Sequence, residues 1–488
     1  MGAAYLKGRN VMGRFPLLTV GMHPILVRQL WDRISIAGGH DLSHLVHPTY
    51  NLRSWSGGSR PGDKIYFFAD GIRVPLAKAD VTLLASLEAE GGPTIHNMIL
   101  SDSIVSKLPY EEALARATFL AIRLEEVYSQ VKPAAIIGAF DGLHGSMGYA
   151  VAKRLNIPWF AMRFSPLPEA HVALCSDLSP GSAVSLEPGR HELLIGLAGQ
   201  LLKDFESRRV QASAHIPPDL LSASFILRQI PVQIGAFGRT LLRRQQRRLL
   251  RYTEAAGSHS IRRRVQEGFR VRKNLLLLRR RALLQKPPAG RFAFFGLHMQ
   301  PESSVDVWSP FFCNQTRVVE LIARSLPPTH KLLVKLHKSD VPNYSRAYLD
   351  ALEGFPGVEL VSPYADSYEF MRKASLVISI QGTMGLEAAL LGKPVIMFGN
   401  LLAGLFPNVS VVGKTIDLPA LVRAKLAEPA PNRSDVLGAL AHFLEPFYRS
   451  STNDWTRVPT DSEIGGFVSL FNLLRKHLIG AGLPGATE

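Results

Sequence analysis

The chain has 488 residues, 46% hydrophobic and 20% charged, which is longer than one core usually organises and excludes a disordered or fibrous protein. Its net charge of +16 is concentrated: between Arg239 and Arg281 fifteen Arg or Lys face only Glu254 and Glu267, so the remainder is close to neutral. Cys175 and Cys313 are the only cysteines, too few for a disulfide framework or a cysteine zinc site, and no run of eighteen apolar residues offers a membrane span.

From Met1 to Leu18 the basic residues Lys7, Arg9 and Arg14 are scattered, with no compact apolar core and no small-residue cleavage site. Leu6 stands where a myristoylated Gly2 would want Ser or Thr, so a cytoplasmic protein is expected. The run from Lys64 to Ala69 predicts a strand closed by the turn signal Asp70-Gly71. Leu114, Phe119, Ile122 and Val127 recur at helical spacing from Glu111 to Gln130, and Lys132-Pro133 stops the helix. A buried strand over Ala134–Gly138, a helix over Ser146–Leu155 and a strand over Ile157–Ala161 complete a βαβ unit.

The stretch from about Leu193 to Gln285 is rich in Leu and Arg, lacks strand-like runs and ends at the linker Lys286-Pro-Pro-Ala-Gly290. Within Leu241–Leu250 the leucines share one helical side and the arginines the other. The βα alternation then resumes. Strands are predicted at Arg291–Gly296, Lys331–Leu336, Val358–Val361, Leu376–Ile380 and Val395–Phe398, and helices near Asn314–Ser325, Tyr368–Lys373 and Leu386–Leu391.

The sharpest signal is the turn Gln381-Gly-Thr-Met-Gly385 after the Leu376–Ile380 run, at a strand end where open parallel sheets bind ligands. Gly382 permits close backbone approach, the next helix offers unpaired N–H groups to a phosphate, and Thr383 adds a hydroxyl. Glu387, one helical turn on, is placed to accept hydrogen bonds from ribose hydroxyls. The alternative is a tight strand-to-helix turn with a solvated Glu387, and spacing alone leaves both open.

The segment Ser379–Ile396, with its small-residue turn, Glu387 before Ala388 and Gly392-Lys-Pro-Val395, resembles the nucleotide-sugar site of GT-B glycosyltransferases and sugar-nucleotide 2-epimerases. It is more similar still to the capsular polysaccharide biosynthesis proteins, the family that includes the β-Kdo transferases of capsule assembly. Gly296–Ser304, Leu333–His337, Asp141–His144 and Ile157–Trp159 fit the same family. The resemblance spans roughly 141–159 and 291–400.

It implies an α/β, GT-B-like fold with two Rossmann-type domains facing a cleft and an Arg-rich helical insertion. The expected partition is 1–190 for an acceptor domain, 191–289 for the basic insertion and linker, 290–425 for a nucleotide-sugar domain and 426–488 for C-terminal helices. It implies a glycosyltransferase that moves a sugar from CMP-Kdo or a UDP-sugar to a lipid-linked or growing surface polysaccharide. A 2-epimerase and a non-catalytic glycan-binding subunit remain as alternatives. Donor contacts are expected from Gln381, Gly382, Thr383 and Glu387, and from His337, which stands at the family's Lys-x-His position although Lys338 replaces the usual Pro. Lys338 can add a cationic phosphate contact.

His298 and Glu302, in the first loop of the second domain, are candidates for phosphate and sugar hydroxyls, with Glu302 alternatively capping the helix after Pro301. Asp141 and His144, at a strand end of the first domain, are the candidates for activating the acceptor, Asp102 being a weaker one. Asp141 alternatively caps the helix expected near Gly145. No Asp-x-Asp, P-loop or His-Glu-x-x-His motif is present, so neither a metal nor a cofactor is expected and the nucleotide sugar enters as substrate. Arg243, Arg244, Arg247, Arg248 and Arg251, interleaved with leucines and without a nucleic-acid motif, point to an anionic membrane surface rather than to RNA or DNA.

Overall fold

Two doubly wound sheets organise the chain in this computed structural model, which describes residues 15–21, 34, 40–46, 64–68, 76–88, 93–102, 104–140, 142–208, 270, 272–274, 276–300, 302–399, 402–449 and 460–481. Asp141 and Arg243, Arg244, Arg247, Arg248 and Arg251, with the expected insertion around them, lie outside the described residues.

The first sheet contains β1 (Phe15–Val20), β2 (His40–Val46), β3 (Lys64–Phe67), β4 (Ala135–Gly138), β5 (Trp159–Phe164), β6 (His171–Cys175) and, from the far end of the chain, β13 (Tyr448–Arg449). Their order is β13-β6-β5-β4-β1-β2-β3, with β1 to β5 parallel and β6 and β13 antiparallel additions. The two-residue period of a strand divides the core. Leu18, Val20 and Ile136 pack under α1 (Val81–Glu88), α2 (Ile95–Leu100), α3 (Tyr110–Val131) and α4 (Gly142–Arg154), whereas Leu17, Ala135 and Ile137 face α12 (Asp461–Gly480). The helix α3 starts after Pro109 with Glu111 and Glu112 in its first turn and stops at Lys132, whose φ of 49° ends the helical path before Pro133.

The second sheet is wholly parallel: β7 (Phe292–Gly296), β8 (Lys331–Lys335), β9 (Val358–Val361), β10 (Leu376–Ser379), β11 (Val395–Met397) and β12 (Val409–Val411), in the order β12-β11-β10-β7-β8-β9. Ala293, Phe295, Val334 and Ile378 face the helices Gln315–Ser325, Arg346–Glu353 and Leu418–Ala427. Phe292, Phe294, Val377 and Met397 face those at Ser367–Lys373, Thr383–Leu390 and Arg433–Leu444. In chain order, α5 is His191–Glu206, α6 Gln315–Ser325, α7 Arg346–Glu353, α8 Ser367–Lys373, α9 Thr383–Leu390, α10 Leu418–Ala427 and α11 Arg433–Leu444.

Among the described residues the chain passes between the units at two places. It enters α5, whose Ala198, Leu201, Leu202 and Phe205 lie in the core beneath the second sheet, and it returns from α11 to β13 and α12 on the first sheet. The start of the expected insertion is therefore built into the second unit, and the C-terminal helices divide between the two. The α/β architecture with two largely parallel sheets implied by the resemblance is present in the described residues.

Candidate functional site

In the second sheet β7 and β10 are neighbours, and the chain runs outward from them in both directions. Loops after these strands diverge and leave a crevice at the carboxyl edge. The sequence-predicted residues His298 and Gln381–Thr383 meet there. Gly382 adopts φ 90° and ψ −172°, a backbone region essentially confined to glycine, and this swings the chain from β10 directly into α9. No side chain caps α9, so its first-turn N–H groups and the positive end of its dipole are available to an anion. Gly296, at the end of β7, lets the Met384 side chain lie directly over it: a Cβ there would come within 2.8 Å of the Met384 methyl.

His298 spans the crevice. Its Nε2 is 2.6 Å from the Gln381 carbonyl and 3.2 Å from Gln381 N, and a neutral ring with Nε2–H as donor satisfies the shorter contact. Burial lowers its pKa in the same sense, against the backbone bond to Gln381. Gln315 at the start of α6 holds the loop from the other side, accepting from His298 N at 2.7 Å and donating to His298 O at 2.9 Å. The expectation of a phosphate-binding His298 is corrected to this extent: Nε2 is committed to the turn, and its buried Nδ1 is left without a hydrogen-bond partner. The Gln381 side chain also departs from expectation. It is 1% exposed and packs against Gly399 and Ser309, so Gln381 brings its backbone to the crevice while its amide points into the protein.

Glu387 sits one turn into α9, hydrogen-bonded to Thr383. Burial pushes its carboxyl up to about 7 and Asp366 adds to the shift, while Thr383 opposes it. Near neutral pH such a group both donates and accepts, which suits vicinal hydroxyls.

Across the crevice, the His337 side chain caps the 3-10 turn Lys338–Asn343, its Nδ1 accepting from Ser339 N at 3.3 Å. That bond keeps the proton on Nε2. Burial first, then His298 and Lys335, pulls the ring down to about 4, so His337 is a neutral N–H donor. Lys338 stands over the Tyr364 ring at 5.9 Å. Lys335, at the end of β8, was not singled out from the sequence. Its ammonium donates to the Pro363 carbonyl at 3.1 Å, and burial with Lys338 nearby lowers it to about 8. A lysine ending a buried parallel strand was the signal that could have marked it.

Glu302 is exposed and precedes the helical turn Ser303–Asp306. Its carbonyl accepts from Val305 N and Asp306 N, and its carboxylate accepts from the Ser304 hydroxyl at 2.7 Å. The following residues reach the first unit: Ser101 donates to the Asp306 carbonyl, and Trp308 meets Phe140 edge-on at 5.2 Å. An open pocket of about 290 Å³ lies at this junction, lined among others by Asn97, Ser101, Ser146, Tyr149, Asp177 and Trp308.

In the first unit, His144 occupies the matching position where β1 and β4 adjoin. It is buried beneath Gly21, whose added Cβ would meet the ring at 2.6 Å, and beside Phe68 at 5.7 Å. The helix α4 begins at Gly142, earlier than expected. Its N-terminus is held by Asp102, which accepts from Leu143 N at 3.0 Å and from Ile104 N and Val105 N at 2.9 and 2.8 Å. Asp102 is thereby corrected from a weak acceptor-activating candidate to a buried cap.

No curated protein matches this sequence. Among solved structures, the chain is similar to the β-Kdo 2,4 transferase of Thermosulfurimonas dismutans KpsC at 10% identity, covering 95% of this chain and 100% of that one with a TM-score of 0.42. The β-Kdo 2,7 transferase of the same protein is 11% identical over 72% and 89%, with a TM-score of 0.33. A UDP-GlcNAc 2-epimerase from Neisseria meningitidis bound to UDP-GlcNAc is 13% identical over 88% and 97%, with a TM-score of 0.29. The capsule polysaccharide biosynthesis protein family matches residues 243–405. That segment contains β7 to β11 and the crevice around Gly382, and over it the chain is similar to the capsule polysaccharide biosynthesis proteins.

Proposed function

We propose that this chain is a metal-independent glycosyltransferase of the GT-B type that uses a nucleotide-activated sugar, CMP-Kdo or a UDP-sugar, to extend a lipid-linked or growing capsular polysaccharide. The observation that carries the reading is the uncapped N-terminus of α9 behind Gly382, at the point where β7 and β10 adjoin, with Glu387 one turn inside it. In the transfer an acceptor hydroxyl attacks the anomeric carbon, the bond to the donor phosphate oxygen breaks, and negative charge grows on the leaving nucleotide. The α9 N–H groups, the His337 Nε2–H and the Lys338 ammonium supply the compensating partial and full positive charge without a metal. Glu387 takes the ribose hydroxyls. The acceptor's proton is assigned to Asp141, the residue before α4 in the first unit's sequence.

No helix among the described residues is long and apolar enough to cross a membrane. The arginines from 243 to 251 are proposed to dock on anionic lipid at the cytoplasmic leaflet, close to a lipid-linked acceptor. Incubation with a panel of CMP- and UDP-sugars and a capsular oligosaccharide should release free nucleotide. Epimerised sugar still attached to its nucleotide, or binding without turnover, would overturn the proposal.

A further inference from the structure

Both connections between the units pass one point far along the chain from the crevice. The outgoing segment, residues 185–190, runs into α5. The returning segment leaves α11 and passes through Glu445 to β13. The two are laced together. Glu445 Oε1 accepts from Gly189 N at 2.8 Å and from the Ser185 hydroxyl at 3.2 Å. Arg190 donates to the carbonyls of Glu445 and Phe447 and lies 4.3 Å from the Tyr448 ring centre.

The second carboxylate oxygen is disposed differently. Glu445 Oε2 faces two imidazoles, with His191 Nδ1 at 3.4 Å and His442 Nδ1 at 3.7 Å. The two rings stack at 3.9 Å with 26° between their planes. His191 Nδ1 is buried and has no hydrogen-bond partner. These separations are too long for good N–H···O bonds. They do match the edge of a coordination shell: two ligands each ~2.0–2.1 Å from a tetrahedral zinc ion stand about 3.4 Å apart. All three ligand atoms lie within 4.8 Å of one another.

We propose that His191, His442 and Glu445 form a binding site for a divalent transition cation of the zinc class, with two imidazole nitrogens, one carboxylate oxygen and water in the remaining position. Imidazole and carboxylate together suit zinc and its first-row neighbours better than magnesium or calcium. Half-exposed His442 turns its ring about the Cβ–Cγ bond so that both lone pairs converge. The ion ties the first residue of α5 to the last turn of α11 and so fixes the outgoing and returning segments to each other. Its role is to stiffen the hinge between the units, since His191 and Glu445 belong to the two connections themselves.

The test uses the full chain, stripped with a chelator and then titrated with zinc chloride in a calorimeter and with cobalt chloride in a spectrophotometer. Wild type should bind one more equivalent of Zn²⁺ than His191→Ala or His442→Ala, and Co²⁺ should give visible d–d bands that both variants lose. Glu445→Gln, which keeps an acceptor for Gly189 and Ser185, should bind at least tenfold more weakly while the unliganded melting temperature stays near wild type. Equal stoichiometry in wild type and the two histidine variants, or no binding by wild type, overturns the proposal. No sugar or nucleotide enters the experiment, so either result leaves the transferase proposal untouched.

Discussion

Replacing Gly382 with Ala tests the turn on which the crevice is built. At φ 90° and ψ −172° an L residue is held in a region that costs of order 1–3 kcal/mol. The added Cβ would also stand 3.4 Å from His298 Nε2, the atom that bonds Gln381. Relaxing the strain rotates the peptide before α9, and the Nε2–H bond to the Gln381 carbonyl is the first contact that stretches. A cost of about 2 kcal/mol lowers the melting temperature of a unit of about 150–250 residues by roughly 4–8 °C. Nucleotide affinity should fall together with stability, because the first-turn N–H groups of α9 no longer converge. Differential scanning calorimetry with and without CMP or UDP reads both effects. An Ala variant that melts with wild type and keeps its nucleotide-induced shift would refute the reasoning, since the turn would then carry neither strain nor ligand.

Glu387→Gln should remove a pH dependence. The native carboxyl titrates near 7, above its ordinary value of 4.5, so the folded state holds a proton that the unfolded state has already released. Stability is thus full at pH 4 and declines as pH rises from 4.5 to 7, by up to about 3 kcal/mol; urea melts of wild type and variant should converge at low pH and separate above it. Asp102→Ala removes the acceptor of three backbone bonds and should cost about 3 kcal/mol in chemical denaturation. Asp102→Asn should recover part of that stability and show nearly wild-type turnover, an outcome a catalytic base would not allow. Gln381→Met replaces an amide whose two polar atoms are buried without partners, so thermal unfolding should show a gain of about 1–3 kcal/mol, with nucleotide affinity unchanged. Replacing Arg243, Arg244, Arg247, Arg248 and Arg251 with Gln should weaken sedimentation with anionic vesicles roughly five-thousandfold, at about 1 kcal/mol per charge.

The second sheet was largely legible as sequence. Its strands are apolar runs because a parallel strand is covered on both faces. The observed Phe292–Gly296, Lys331–Lys335, Val358–Val361, Leu376–Ser379 and Val395–Met397 fall within a residue of the expected bounds. The first sheet was less legible. The strand β1 carries Pro16 near its start. In β2 the polar Ser43 and His44 are buried, and the Thr19 hydroxyl, 2.7 Å from His44 Nδ1, helps make the burial of His44 tolerable. A pattern reader sees a proline or a polar pair and passes over the strand.

The glycine turn at 382, the carboxylate at 387 and the histidine ending β8 were visible because each lies within a few residues of the strand that positions it, and local chain geometry is written in local sequence. The roles of individual side chains depend on contacts between distant segments. Asp102 reaches across to cap α4, His298 bonds a carbonyl on β10's loop, Gln381 turns inward against Gly399, and His191 meets His442 where the chain crosses between units. A side chain's hydrogen-bond partners, and through burial its protonation state, are properties of the packed tertiary structure. The sequence alone therefore determined the strands and helices of the second unit and the placing of its glycine turn, whereas the fold decided which neighbouring polar groups face the crevice and which hold the protein together.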